Sequence, residues 1–399
     1  MSDSRAIDVA EHLAAILERV VPIDAEQRDV AAARGRVLRH PVFAAVDVPG
    51  FDSSAMDGFA VRDLAAPATL RVVADLPAGT ELDPRMDAGD AARIMTGAPV
   101  PADATAVVPF EDTESGLAGG LDPVVVLAAP RPGAHIRRRG SDVERGALVA
   151  EEGVRLTAAR LGAIAAAGVG SVSVSRAPRV AVVSTGSELQ PAGADLRRGQ
   201  IPESNSVLLA GLAEEAGAEV VLRTSVGDDG DGPRQAIVAA EAAGADVVVF
   251  SGGVSAGAYE VVKNTLGDFM RFDRVRMQPG KPQGFGRTPA GTLLFGLPGN
   301  PVSAAVSFEL FVRPALRVLE ADAEPGRETL RVALADGRRA RPGRVQYVPV
   351  RLDRTDPARW TAAPTAHGTR GLGDADGLAI IPPSDRDLEA GELVTVARW

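Results

Sequence analysis

The 399-residue chain has no cysteine, which excludes disulfides and thiolate metal sites. Histidine is almost as scarce. His12, His40, His135 and His367 are scattered, without metal-ligand spacing. Any metal is therefore expected to be a hard, oxygen-held ion such as Mg²⁺. No Ser-His-Asp set has supporting context, so acyl hydrolysis is not expected. Nor does any segment approach the roughly 18 uninterrupted apolar residues of a membrane span. The start, Met1-Ser2-Asp3-Ser4-Arg5, lacks a basic stretch followed by an apolar one. It does not resemble a signal peptide, and the expected location is the cytoplasm. Aromatics make up 4% and the net charge is −10; neither suits general nucleic-acid binding.

What is present is a large apolar fraction, 45%, with an ordinary 24% of charged residues. This suffices for several domains with substantial cores. The most informative stretch is Val247-Val248-Val249-Phe250-Ser251-Gly252-Gly253-Val254-Ser255-Ala256-Gly257. A short valine-rich run reads as a parallel strand buried on both faces. The glycines at its carboxyl end let backbone N–H groups approach a phosphate. The pattern recurs twice. Arg179 to Ser184 runs into Thr185-Gly186-Ser187-Glu188, and Thr292 to Leu297 runs into Pro298-Gly299-Asn300-Pro301-Val302-Ser303. If the three strands are parallel, their loops gather along one sheet edge, where α/β proteins bind ligands.

Taken in order, Ile7 to Val21 has helical apolar spacing, and Ala31 to Leu38 suggests a second short helix. From about residue 46 short β segments dominate. Asp52 and Ser53 fit local turn bonding. Ile136-Arg137-Arg138-Arg139 carries an arginine triplet that is either a solvated run or an anion contact. A helix over Leu156 to Ala167, capped by Thr157, precedes a short strand and Pro178. Residues 179 to about 320 alternate strand and helix, implying a doubly wound sheet. Helices are expected over Ser204–Ala216, Pro233–Ala243 and Ser303–Leu319. From about 325 short β segments return and fit a small barrel or sandwich.

The carboxylates near the loops are Glu188, Asp228, Asp229 and Glu260. They suit Mg²⁺ and phosphate chemistry. Asp228 and Asp229 fit a turn that caps the next helix equally well. Glu188 could instead favour the positive end of a helix. Lys281, between Pro279-Gly280 and Pro282, is either a phosphate-seeking point charge or a solvent-facing loop lysine.

These motifs resemble the MoeA family of molybdopterin molybdenumtransferases, related to the gephyrin E domain. The matching segments are Ser54 to Val61, Ile94 to Pro99, Ile136 to Asp142, Ser184 to Leu189, Ser251 to Gly257, Pro279 to Pro282 and Gly296 to Ser303. The resemblance implies four domains. An elongated linker and dimerisation domain would comprise 1–45 and 146–176. A β-rich domain (46–145), a molybdopterin-binding α/β domain (177–324) and a C-terminal β-barrel (325–399) would complete the chain. It implies a homodimer that transfers molybdenum from molybdate to adenylylated molybdopterin, with Mg²⁺ assisting and AMP released. It also brings possible contacts with the adenylyltransferase and with molybdoenzyme apo-proteins. The pterin site would use Thr185, Gly186, Ser187, Ser251, Gly252, Gly253, Val254, Ser255, Gly257, Pro298, Gly299, Asn300, Pro301 and Ser303, with Arg137 and Arg138. Glu188, Asp228 and Glu260 would hold Mg²⁺, and Lys281 with Ser303 would attract molybdate. Asp57, Thr96 and Asp142 would reach into the partner subunit's cleft.

Three positions depart from the family pattern. Glu260 stands where Asp is frequent and reaches one methylene further. Gln278 replaces a frequent Lys and removes a positive charge. Ala258-Tyr259 replaces a more polar pair. Two rival functions share the glycine loops: adenylyl transfer from ATP to molybdopterin, and non-catalytic scaffolding. The flanking domains argue against the first, and the carboxylates with Lys281 argue against the second.

Overall fold

In the computed structural model, the described residues are 6–114, 116, 123–228, 230–254 and 260–399. Ser255 and Gly257, together with Asp229, Ala258 and Tyr259, lie outside them. The central feature is a seven-stranded sheet. Its order is Ala6–Ile7, Met270–Val275, Pro282–Arg287, Leu293–Leu297, Val247–Ser251, Arg179–Thr185 and Glu219–Val226. The three apolar runs singled out from the sequence are adjacent and parallel. Val249 lies opposite both Val182 and Phe295. They are buried on both faces, as near-continuous hydrophobic strands must be. One face packs on the helices Val9–Leu17, Asn205–Glu215, Pro301–Ser307 and Arg313–Leu319; the other on Gly232–Ala242 and Val261–Leu266. The sheet is thus doubly wound.

Local chemistry explains where elements start, stop and deviate. Asn300 caps the helix at Pro301 by accepting from Val302 N and Ser303 N at 3.1 and 3.2 Å. The helix expected over Ser303–Leu319 is interrupted by a π turn at Phe308–Val312. Pro314 follows, and its ring and missing N–H are incompatible with a regular turn there. The Pro282–Arg287 strand runs antiparallel to both neighbours. Its glycines disguise it in the sequence, yet they are what the sheet requires: a Cβ on Gly286 would lie 1.9 Å from the Phe269 carbonyl oxygen.

The N-terminal expectation needs correction. Ala6–Ile7 is a strand parallel to Arg274–Val275, and the helix is confined to Val9–Leu17. Ile16 and Val20 pack into the α/β core. Residues 6–20 thus add a strand and a packed helix to the large sheet's unit. Ala31–Leu38 is likewise not a helix. It is a 3₁₀ turn at Val30–Ala32, capped by Asp29, followed by bridges from Val37 and Leu38.

In the linker region, Ala25–Asp29 pairs antiparallel with Ser171–Ser175. The helix Ala158–Ala166 starts at Thr157, whose hydroxyl accepts from Arg160 N. Arg155 joins this region to the α/β domain. It meets the fully buried Glu320, and Asp322 at 3.0 Å. The β-rich segment forms a five-stranded sheet with apolar cores on both sides. The C-terminal strands close into a five-stranded barrel, because Val345–Asp353 pairs with both Thr361–Pro364 and Gly377–Ile381. Met277–Gln278 adds to it alongside Val345–Gln346, tying barrel to α/β domain. Among the described residues, no helix is long and apolar enough to cross a membrane.

Candidate functional site

Three loops meet at the carboxyl ends of the parallel strands. Thr185 Oγ1 donates to the Ser251 carbonyl at 3.2 Å. Gly252 N donates to the Leu297 carbonyl at 2.9 Å. A Cβ on Gly252, where φ is +93°, would stand 2.6 Å from Thr185 Oγ1; one on Gly299 would be 3.5 Å from Gly252 Cα. Glycine is therefore obligatory at 252, where two loops touch through backbone. Thr185, Ser251, Gly252, Leu297 and Gly299 are thereby brought together where the three strands end. Val254 is buried in the core beneath them.

The first loop is fastened to the next crossover. Ser187 N donates to Asp228 Oδ2 at 2.9 Å, and Asp228 N donates to Ser187 Oγ at 3.0 Å. Glu188 folds back so that its carboxylate lies over Gly186. Glu260 is the N-cap residue of Val261–Leu266, without a side-chain cap bond. Among the described residues, no group of three or more acidic or histidine side chains could hold a metal ion. Glu188, Asp228 and Glu260 therefore do not make a preformed Mg²⁺ shell. Proximity to a loop in the sequence did not bring them to one point, and Asp228 already binds a backbone amide. Lys281 is exposed on a loop whose backbone is fixed by Val275 N donating to its carbonyl at 2.8 Å.

Two residues missing from the sequence reading brace these loops. Glu203 accepts from Ser184 Oγ at 2.7 Å and from Ser206 N at 2.8 Å. Burial pushes its pKa up, but hydrogen bonds from Ser206, Ser184 and the Asn205 amide outweigh it and hold it below the ordinary value. Asn205, 9% exposed, donates from Nδ2 to Ser251 Oγ at 2.6 Å and to the Gly299 carbonyl at 2.7 Å. The available signal was polar residues opening a helix just after a strand–loop unit.

A second cluster lies in the β-rich domain. Asp57 Oδ1 accepts from Thr96 N at 2.6 Å and from Thr96 Oγ1 at 2.8 Å, which lowers its pKa. Asp52 is not merely a local turn residue. It accepts from Arg138 Nη1 at 2.6 Å and Arg139 N at 2.8 Å. Arg139 also pairs with Asp47. Arg137 pairs with Ser53 in a short strand, and its guanidinium has no ion pair among the described residues. Asp142 is exposed, its amide donating to the Val48 carbonyl at 3.0 Å. No hydrogen bond or ion pair of Asp57, Thr96 or Asp142 reaches the glycine loops among the described residues.

A cavity of about 350 Å³ opens between the α/β edge and the barrel, lined in part by Gln278, Asn300, Val302, Arg338 and Gln346. The barrel thus supplies a wall, including one arginine, that the sequence reading did not assign.

Glycine loops at the strand ends of a doubly wound domain, flanked by a β-rich domain and a closed barrel, define a multidomain α/β ligand-binding architecture. The chain belongs to the MoeA family. Residues 7–168 match the "MoeA N-terminal region (domain I and II)" model. Residues 181–318 match the "Probable molybdopterin binding domain" and 331–399 the "MoeA C-terminal region (domain IV)". It is 42% identical to molybdopterin molybdenumtransferase 2 of Mycobacterium tuberculosis, covering 97% of this chain and 96% of that protein. It is 38% identical to the Nostoc molybdopterin molybdenumtransferase over 74% of this chain and 70% of that one. A molybdopterin biosynthesis MoeA crystal structure from Pyrococcus horikoshii superposes with a TM-score of 0.80 at 30% identity, covering 99% of both chains.

Proposed function

We propose that this protein is a cytoplasmic, homodimeric molybdenum insertase. It takes adenylylated molybdopterin and molybdate, delivers molybdenum to the pterin dithiolene and releases AMP. The observation that carries this reading is the meeting of three strand-end loops in the molybdopterin-binding domain, where Thr185, Ser251, Gly252 and Leu297 hydrogen-bond across the loops.

Loop amides and the hydroxyls of Ser187 and Ser251 bind the pterin phosphates. Glu188, beside Gly186, and Asp228, joined to Ser187, orient the pyrophosphate link. Lys281, Ser303 and Arg338, from the barrel side, attract molybdate. Asp57, held by Thr96, together with Asp142 and Arg137, completes the cleft of the partner subunit. Within the β-rich domain Arg138 has a positioning role, because Asp52 already engages it.

The test follows AMP release from adenylylated molybdopterin with and without molybdate, then asks whether the product activates a molybdenum-free apo-enzyme. Molybdate-dependent release and activation are expected. ATP consumption with pyrophosphate release would instead indicate adenylyl transfer, and tight pterin binding without AMP release would indicate a scaffold.

A further inference from the structure

We propose that the segment Glu203–Ser206 is the brace that sets the spacing of all three ligand loops, with Asn205 as its positioning residue. This rests on the pterin-binding reading of those loops. Glu203 holds Ser184, the residue before the first loop. Asn205 spends both amide hydrogens, one on Ser251 at the start of the second loop and one on the Gly299 carbonyl in the third. One short segment thus ties loops whose residues are 46 and 94 positions away from Asn205.

The orientation of the amide is fixed by chemistry. Gly299 O can only accept, so the Asn205 atom facing it must be nitrogen. That leaves Asn205 Oδ1 buried and without a hydrogen-bond partner. An orphaned buried acceptor is costly, and alanine would remove the cost. Asparagine is accounted for here by what its nitrogen does. Because Nδ2 donates to Ser251 Oγ, the Ser251 proton must point elsewhere. Asn205 therefore presents Ser251 as a hydrogen-bond donor beside its own unspent acceptor.

A packing role and a positioning role make opposite predictions for Asn205→Asp. The two side chains have nearly the same size and shape. Ionised aspartate cannot donate, and it would set an oxygen against the Gly299 carbonyl. Substrate affinity of the purified full-length protein is measured by titration with adenylylated molybdopterin, alongside KM and kcat for AMP release and the thermal midpoint. Both Asn205→Asp and Asn205→Ala are expected to raise Kd and KM by about tenfold or more, equivalent to about 1.4 kcal/mol. The fall in kcat should be smaller than the rise in KM. The aspartate variant should regain affinity as pH is lowered and its carboxyl becomes a donor, relative to wild type at each pH. Wild-type affinity in the aspartate variant, or a loss of stability without a change in Kd for the alanine variant, overturns the proposal. Failure of the wild-type protein itself to bind would overturn the pterin-site reading instead.

Discussion

Replacing Gly252 by alanine tests whether the loop contacts are as tight as they look. The residue sits at φ +93°, and the added Cβ would lie 2.6 Å from Thr185 Oγ1 and 2.9 Å from the Thr185 carbonyl oxygen. Left-handed backbone costs a non-glycine residue about 1–2 kcal/mol. Forcing a methyl into a filled space adds about 1–3 kcal/mol. The sum is roughly 2–5 kcal/mol, close to the lower end of a whole domain's stability. Gly299→Ala is the matched control, since its Cβ would meet Gly252 Cα at an ordinary 3.5 Å. Denaturant unfolding of the two variants should therefore separate them by about 2 kcal/mol or more. Adding Thr185→Ala to Gly252→Ala removes the 2.6 Å contact but not the carbonyl or the backbone strain. It should recover only about 1 kcal/mol as a coupling term. A wild-type unfolding midpoint for Gly252→Ala, or equal damage in Gly299→Ala, would refute the tight loop contact.

Three other expectations follow from the geometry. Arg155→Ala leaves Glu320 fully buried without its guanidinium and should cost about 3–5 kcal/mol in chemical denaturation; a loss under about 1 kcal/mol would contradict the pairing. His12 is buried beside Phe311, with Asp273 3.5 Å from Nδ1. Burial outweighs Asp273, itself engaged by Arg271, and lowers the His12 pKa to about 4. Below about 6.5 the unfolded chain takes up a proton that the folded one refuses until about pH 4, so stability should fall across that window by up to about 3 kcal/mol. His12→Phe should flatten that portion of the pH–stability profile. Asp57→Ala frees Thr96 N and Oγ1 at an exposed site; it should cost less than about 1 kcal/mol of stability yet lower molybdate-dependent AMP release about tenfold or more.

The part of the site visible in the sequence is the part written in short range. A short valine-rich run such as Val247 to Phe250 reads as a buried strand, and the glycines after it mark its carboxyl end. Three such units imply one shared edge, and the sheet order has them adjacent. Asp52 was opaque because its partners, Arg138 and Arg139, are 86 and 87 residues away. Asn205 was hidden for the same reason, in the first turn of an otherwise apolar helix. Gly284 and Gly286 look like loop residues but permit close strand contacts. Glu188, Asp228 and Glu260 were legible only as carboxylates close to the loops along the chain. Each lies near a loop in the chain, yet position along the sequence does not determine where a carboxylate points.

The pairing of Ala6–Ile7 with Arg274–Val275 also dictates an order of events during biosynthesis. The first strand emerges long before the strand it joins. At about 5–20 residues per second, roughly a quarter of a minute to a minute separates the two. During that interval the apolar stripe of Val9–Leu17 has no sheet to cover it, while the linker and β-rich segments can already collapse between them. The α/β unit is thus completed from both sides of a large insertion, and the apolar side of its N-terminal helix waits for the sheet that covers it. A circular permutant carrying residues 6–20 beyond residue 399, through a linker long enough to reach the sheet, would present helix and sheet together and should refold with less aggregation.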